Sequence, residues 1–112
     1  MDKRILALGR LKEGEMNKTE TRYANLLEAQ KIAGKILWYG FEPMTLRLAK
    51  STTYKPDFMV MTFDGHLEFH EVKGYWQDDA RVKIKVAAEK FPMFRFVAVK
   101  KGARGSWDFE EF

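Results

Sequence analysis

Residues 55–76, KPDFMVMTFDGHLEFHEVKGYW, decide the fold of this chain. Two runs rich in apolar and aromatic residues flank Asp64-Gly65, which predicts a β-hairpin of Asp57–Phe63 and Leu67–Lys73. The ends of these strands away from the turn carry three charged residues among apolar neighbours: Asp57, Glu71 and Lys73. Such a placement needs a physical reason.

The length of the turn decides whether the two acids share a face of the sheet. Side chains alternate along a strand, so Glu71 and Lys73 lie on one face while His70 and Val72 lie on the other. A three-residue loop, Phe63-Asp64-Gly65 with Gly65 in the left-handed conformation, places Asp57 directly across from Glu71. A two-residue loop would pair Asp57 with Val72 and separate the acids. The functional interpretation depends on this parity.

Two carboxylates facing each other about 5 Å apart repel by roughly 3 kcal/mol at an effective dielectric of about 20. A divalent cation between them reverses the sign, because Mg²⁺ and Mn²⁺ prefer oxygen ligands. Lys73 lies on the face of Glu71 and could hold a water or a phosphate oxygen. The alternative is structural: Glu71 and Lys73 form a surface ion pair, and Asp57 closes a Pro-Asp turn.

The remaining sequence predicts an α/β order around the hairpin. A first helix is expected from Asn17 to about Ala33, and a second follows Asp78 and Asp79 to about Lys90. Further strands are predicted for 36–41, 45–49 and 94–99, with 105–112 resembling an edge strand and 51–56 a connection. Residues 1–16 are expected to form an N-terminal arm of a single domain spanning 1–112. This order indicates a central mixed β-sheet flanked by helices.

Glu20 falls on the apolar stripe of the first helix together with Tyr23, Ala24 and Leu27, so its side chain should point inward. One interpretation is a capping box in which Glu20 reaches back to the amide of Asn17. The other is a third carboxylate facing the cation.

Composition limits the classes of function. Apolar residues make up 46% of the chain and include nine Phe and three Trp, which supports a folded globule. No signal peptide or membrane span is visible, and there are no cysteines, so a cytoplasmic location is expected. The formal net charge of +4 permits nucleic-acid binding without requiring it.

Pro56-Asp57, thirteen intervening residues and then Glu71-Val72-Lys73 resemble the signature of the PD-(D/E)XK nuclease superfamily. Gly74 after the motif and Glu20 on an upstream helix strengthen the similarity. The Tyr54–Phe58 lead-in and the helix bearing Arg81–Lys85 resemble small phage-encoded members, among them Holliday-junction resolvase-like endonucleases.

The resemblance implies a restriction-endonuclease-like fold and a Mg²⁺ or Mn²⁺ site made by Asp57, Glu71 and the Val72 carbonyl. It implies that Glu20 is a direct or water-mediated ligand and that Lys73 orients the attacking water. The reaction implied is hydrolysis of DNA phosphodiesters in the cytoplasm of a phage-infected bacterium. No specificity domain is evident, so structure-selective cutting of branched DNA is favoured, and a homodimer would suit cutting of two strands.

Five residues are candidate nucleic-acid contacts: Lys55, Gln77, Arg81, Lys83 and Lys85. A solvated helix face would explain the last three equally well. His66 and His70 are expected outside the catalytic set, because one lies at the turn and the other faces away from Glu71. The second function to be weighed is a non-catalytic nucleic-acid-binding or assembly module that keeps the nuclease fold.

Overall fold

The computed structural model describes residues 14–75 and 78–112 of the chain. Most of the predicted N-terminal arm, and Gln77 among the candidate contacts, therefore lie outside the described residues. The described elements in chain order are α1 (Lys18–Ile32), β1 (Ile36–Phe41), β2 (Leu46–Ala49), β3 (Thr52–Tyr54), β4 (Phe58–Thr62), β5 (Leu67–Lys73), α2 (Asp78–Lys90), β6 (Arg95–Lys101) and β7 (Trp107–Glu111). A short 3₁₀ turn, Ala103–Gly105, joins β6 to β7.

Five of the strands form one sheet in the order β1-β4-β5-β6-β7. Strands β5 and β6 run parallel because α2 carries the chain back across the sheet between them, and the other neighbouring pairs are antiparallel. The predicted α/β class with a central mixed sheet is thus confirmed. Neither described helix combines the length and apolar character that crossing a bilayer requires.

The central hairpin has a three-residue loop, which is the one of the two possible lengths that places Asp57 and Glu71 on the same face. Phe58 pairs with His70 and Met61 with Leu67, and the amide of Thr62 donates to the carbonyl of His66 at 2.9 Å. Gly65 has φ of 87°, in the left-handed region that glycine adopts without steric cost. This register makes Asp57 the next position opposite Glu71.

A helix covers each face of the sheet. Asn17 caps α1 with a capping box to Glu20, and Tyr23 and Leu27 from α1 pack on one face against residues that include Phe58, Val60, Val72 and Val97. Ile84 and Ala87 from α2 pack on the other face in a second core that includes Met59, Phe69, Phe96 and Ala98. Asp78 and Asp79 lie in the first turn of α2, where negative side chains interact favourably with the positive end of the helix dipole.

The prediction that residues 51–56 form only a connection is wrong. Its residues Thr52–Tyr54 form β3, which pairs antiparallel with β2 in a separate two-stranded sheet. Leu46 and Leu48 of β2 and Tyr54 of β3 belong to the core beneath α2. The prediction failed because a three-residue strand held by tertiary packing has too short a pattern to be distinguished from a loop.

Candidate active site

Asp57 and Glu71 lie at the end of the central hairpin away from its turn, and each is only 7% exposed. Asp57 Oδ2 accepts a hydrogen bond from the amide of Val72 at 2.8 Å, while the carbonyl of Asp57 accepts one from the amide of Glu42 at 2.7 Å. The two carboxylates therefore lie opposite each other, as the three-residue loop requires. Both acids are buried, although the ion pair between Glu71 and Lys73 that the structural alternative predicted is also present.

Burial raises the pKa of both carboxyls. For Asp57 the pKa rises to about 8, first because the group is withdrawn from water and second because the charge of Glu71 is close. Burial also raises the pKa of Glu71, against the opposing effects of Lys73 and of a hydrogen bond from Tyr54. Two acids that resist ionising together can be stabilised by a bound cation.

Lys73 accompanies Glu71 as predicted. Its Nζ atom lies 3.4 Å from Glu71 Oε2, and its side chain is 41% exposed, so the ammonium group is accessible to solvent. An open cleft of about 310 Å³ lies beside it, lined by Lys73, Tyr75, Asp79 and Ala80. The cleft leaves Lys73 open to solvent on this side.

Glu20 forms the capping box that one interpretation of its position predicted, and its role as a third carboxylate facing a cation stays a prediction. Its Oε1 atom accepts from the amide of Asn17 at 2.9 Å, and Asn17 Oδ1 accepts from the amide of Glu20 at 2.8 Å, which completes the capping box. Glu20 is nevertheless buried, and its charge helps to raise the pKa of Asp57. In residues 14–75 and 78–112, however, no three acidic or histidine side chains are grouped closely enough to hold a metal ion.

Tyr54 is the residue of the site that sequence reasoning missed. Its hydroxyl donates to Glu71 Oε1 at 2.9 Å, and the side chain is buried with 7% exposure. Burial and the adjacent charge of Glu71 raise the pKa of this phenol, so it remains a donor at neutral pH. No local pattern in Thr52-Thr53-Tyr54 signals this contact, because it depends on how β3 packs against the main sheet.

The described residues among the predicted nucleic-acid contacts differ in their interactions within the protein. Arg81 makes a two-point ion pair with Glu110, at 2.6 Å and 2.7 Å, and its guanidinium lies over the Phe112 ring. Lys83 instead donates to the carbonyl of Thr53 at 3.3 Å, whereas Lys85 is exposed beside Phe112. Lys55 is half-buried and already interacts with another group. Contact of these residues with nucleic acid stays a prediction.

His70 takes part in a separate polar network on the α1 face. The Tyr23 hydroxyl lies 2.6 Å from His70 Nδ1, and His70 Nε2 lies 2.8 Å from Glu68 Oε1. Because a carboxylate only accepts, Nε2 carries the proton and Nδ1 accepts from Tyr23. His70 faces away from Glu71, as predicted, and His66 contacts Asp64 at the turn.

Fold and site together define an α/β protein whose mixed sheet carries a buried pair of acids beside a solvent-accessible lysine. The chain belongs to the DUF1064 family, a protein family of unknown function, whose model matches residues 15–105. The match includes the whole central hairpin, Tyr54 and both described helices. No curated protein and no solved structure matches the chain significantly.

Proposed function

We propose that this protein is a metal-dependent DNA endonuclease of the PD-(D/E)XK type, with a restriction-endonuclease-like fold. The observation that carries the proposal is the opposition of Asp57 and Glu71, both buried, at the end of a hairpin whose next residue on the same face is the solvent-accessible Lys73. A sheet gains nothing in stability from such a repulsive pair. A catalytic site does use groups arranged in this way.

The donor set fits Mg²⁺ or Mn²⁺, which select carboxylate and carbonyl oxygens. Asp57 and Glu71 would hold the ion together with the Val72 carbonyl, and Glu20 would add negative charge beside them. When bound, the ion would supply Lewis-acid stabilisation of the phosphate charge and acidify a water molecule.

The residues of the chain would position the metal ligands, the phosphate and the attacking water. The Val72 amide holds Asp57 in place through Oδ2, which leaves Oδ1 without a hydrogen-bond donor from the described part of the chain. Lys73, with its ammonium group near Glu71 Oε2 and open to solvent, would bind a phosphate oxygen and orient the attacking water. The cleft beside Lys73 would admit the scissile phosphate.

DNA is the proposed substrate, and branched structures such as four-way junctions are the proposed preferred form. The formal charge of +4 favours a polyanion, and neutralising two buried acids with a cation would make the protein more positive still. The proposed setting is the cytoplasm, in phage DNA processing.

Cleavage assays on a four-way junction, a flap, a nicked duplex and a single strand test the proposal. We expect cutting with Mg²⁺ or Mn²⁺ and none in EDTA. Asp57→Asn should be inactive, whereas Asp64→Asn, which changes an exposed acid at the opposite end of the same hairpin, should cut like the wild type.

Failure to cut any of these substrates, or cutting that persists in EDTA, would contradict the nuclease proposal. Binding of the same DNA without cutting would favour the non-catalytic module instead. Equal activity of Asp57→Asn and Asp64→Asn would show that cleavage arises elsewhere.

A further inference from the structure

The Tyr54 hydroxyl reaches the candidate site from outside the main sheet. It is carried by β3, the second strand of the small two-stranded sheet, and its ring is packed in the core beneath α2 with Leu46, Leu48 and Met59. A buried aromatic ring has few accessible rotamers, so the hydroxyl is held at a defined point. That point is 2.9 Å from Glu71 Oε1.

We propose that Tyr54 is a positioning residue that holds the Glu71 carboxylate in the orientation needed to bind a divalent cation. The inference rests on the proposed function, because the cation site is the one proposed above. Tyr54 occupies Oε1, and the remaining oxygen, Oε2, is the one directed to Lys73. Glu71 would therefore offer the cation a single oxygen, Oε2.

Repulsion explains why Glu71 needs such a contact. A glutamate has three rotatable side-chain bonds, and a carboxylate facing Asp57 lowers its energy by rotating away from it. A neutral donor fixed in the core opposes that rotation without adding to the positive charge that Lys73 already places beside Glu71. The Tyr54 contact thus preserves the negative charge while removing the freedom of the side chain.

The other two acids are restrained in the same manner, each by a donor from a different part of the chain. Asp57 Oδ2 accepts from the Val72 amide, and Glu20 Oε1 accepts from the Asn17 amide. Each of the three carboxylates has one oxygen bound by a protein N–H or O–H group. Tyr54 is the only side-chain donor among these three contacts, so it can be removed without changing the backbone.

Tyr54→Phe tests the inference, because it removes one oxygen atom and keeps the ring. Tyr39→Phe is the matched control: Tyr39 also donates to a glutamate, Glu28 Oε1 at 2.8 Å, on α1. Calorimetric titration with Mn²⁺ should show affinity reduced about 10-fold to 100-fold in Tyr54→Phe, the range found for groups that orient metal ligands, and little change in Tyr39→Phe. Single-turnover cleavage of Tyr54→Phe should recover to within a few-fold of wild type at saturating Mn²⁺, because Lys73 and the acids remain.

A second variant protects the test against a folding defect. Incorporation of 4-aminophenylalanine at position 54 keeps the ring and restores an N–H donor, so Mn²⁺ affinity should return close to the wild-type value. Circular dichroism and thermal melting check that every variant is folded.

The outcomes separate the two proposals. Unchanged Mn²⁺ affinity in a folded Tyr54→Phe, or equal losses in Tyr54→Phe and Tyr39→Phe, overturns the role of Tyr54 even if the wild type cuts DNA. Weakened Mn²⁺ binding in Tyr54→Phe alone, from a wild type that cuts no DNA, supports the role of Tyr54 and overturns the nuclease. A wild type that binds no Mn²⁺ overturns both.

Discussion

The amide of Val72 donates to Asp57 Oδ2 at 2.8 Å. This hydrogen bond connects Asp57, which directly precedes β4, to β5, the strand that carries Glu71. The contact lies one position beyond the last paired residues of the hairpin, Phe58 and His70. It keeps Asp57 at the sheet even though burial and the charge of Glu71 both disfavour its ionised form. The hairpin thus stabilises an arrangement that its own electrostatics oppose.

Replacing Asp57 should abolish cleavage and make the metal-free protein more stable at pH 8. Asp57→Asn retains an oxygen that can accept from Val72 but removes the repulsive charge. A gain of about 1 kcal/mol would raise the melting temperature by about 4–8 °C in a domain of this size. Differential scanning calorimetry in EDTA measures it, and loss of stability in this variant would show that the Asp57 charge is structural.

The stability of the metal-free wild type should fall as pH rises from about 4 to about 8. The folded-state pKa of Asp57 is raised to about 8, so in this window the folded protein binds more protons than the unfolded chain does. Urea unfolding at a series of pH values measures how the free energy of unfolding changes with pH. Asp57→Asn should flatten this dependence, while Asp64→Asn should not, because the pKa of the exposed Asp64 is lowered rather than raised.

Lys73→Ala should lower the single-turnover cleavage rate by two or more orders of magnitude, the scale seen when a preorganised electrostatic group is removed. Binding of DNA should change little. Lys35→Ala is the control, since Lys35 is an exposed lysine next to Ile36, which pairs near the turn end of the hairpin. A Lys73→Ala protein that cuts within a few-fold of wild type would remove this lysine from the mechanism.

Gly65→Ala should destabilise the protein by about 1–2 kcal/mol, because alanine is strained in the left-handed conformation that the loop requires. Gly65→Asn should destabilise the protein less than Gly65→Ala does, since asparagine tolerates the left-handed conformation. Chemical denaturation of both variants measures the difference. Equal losses would indicate that the loop changes its conformation on substitution.

Tyr23→Phe should lower the free energy of unfolding by about 1–3 kcal/mol, because it leaves the buried Nδ1 atom of His70 without its hydrogen-bond donor. Tyr39→Phe again provides the comparison, as its bond to Glu28 is only partly buried. Unfolding free energies of the two variants test this. Cleavage by Tyr23→Phe should be close to wild type, because the network faces away from Glu71, and a large loss would link it to the site.

The sequence was sufficient where the determining interactions are local. The two runs around Asp64-Gly65 predicted the hairpin, and a three-residue loop with Gly65 left-handed was the condition under which Asp57 faces Glu71. The capping pattern of Asn17 and Glu20 predicted the start of α1, and the apolar stripe of that helix predicted the inward direction of Glu20.

Prediction failed where distant segments meet. Nothing local to Tyr54 indicates that β3 packs beneath α2 or that its hydroxyl reaches Glu71. The ion pair between Arg81 and Glu110 forms because β7 pairs with β6 and so brings Glu110 beside α2. The sequence of α2 alone does not indicate that Arg81 has this partner. Such contacts are fixed by tertiary packing rather than by periodicity.

The two edges of the sheet are built so that they resist pairing with another chain. At one edge the register of β1 shifts between Ile36 and Trp38, which interrupts the flat row of backbone groups that an incoming strand would need. At the other, β7 carries three acids, and antiparallel pairing with its own copy about Phe109 would set Asp108 against Glu110. These features guard against aggregation through continuous sheets. Under the proposed function, two copies that cut opposite strands of a junction would associate through surfaces other than these two described strand edges.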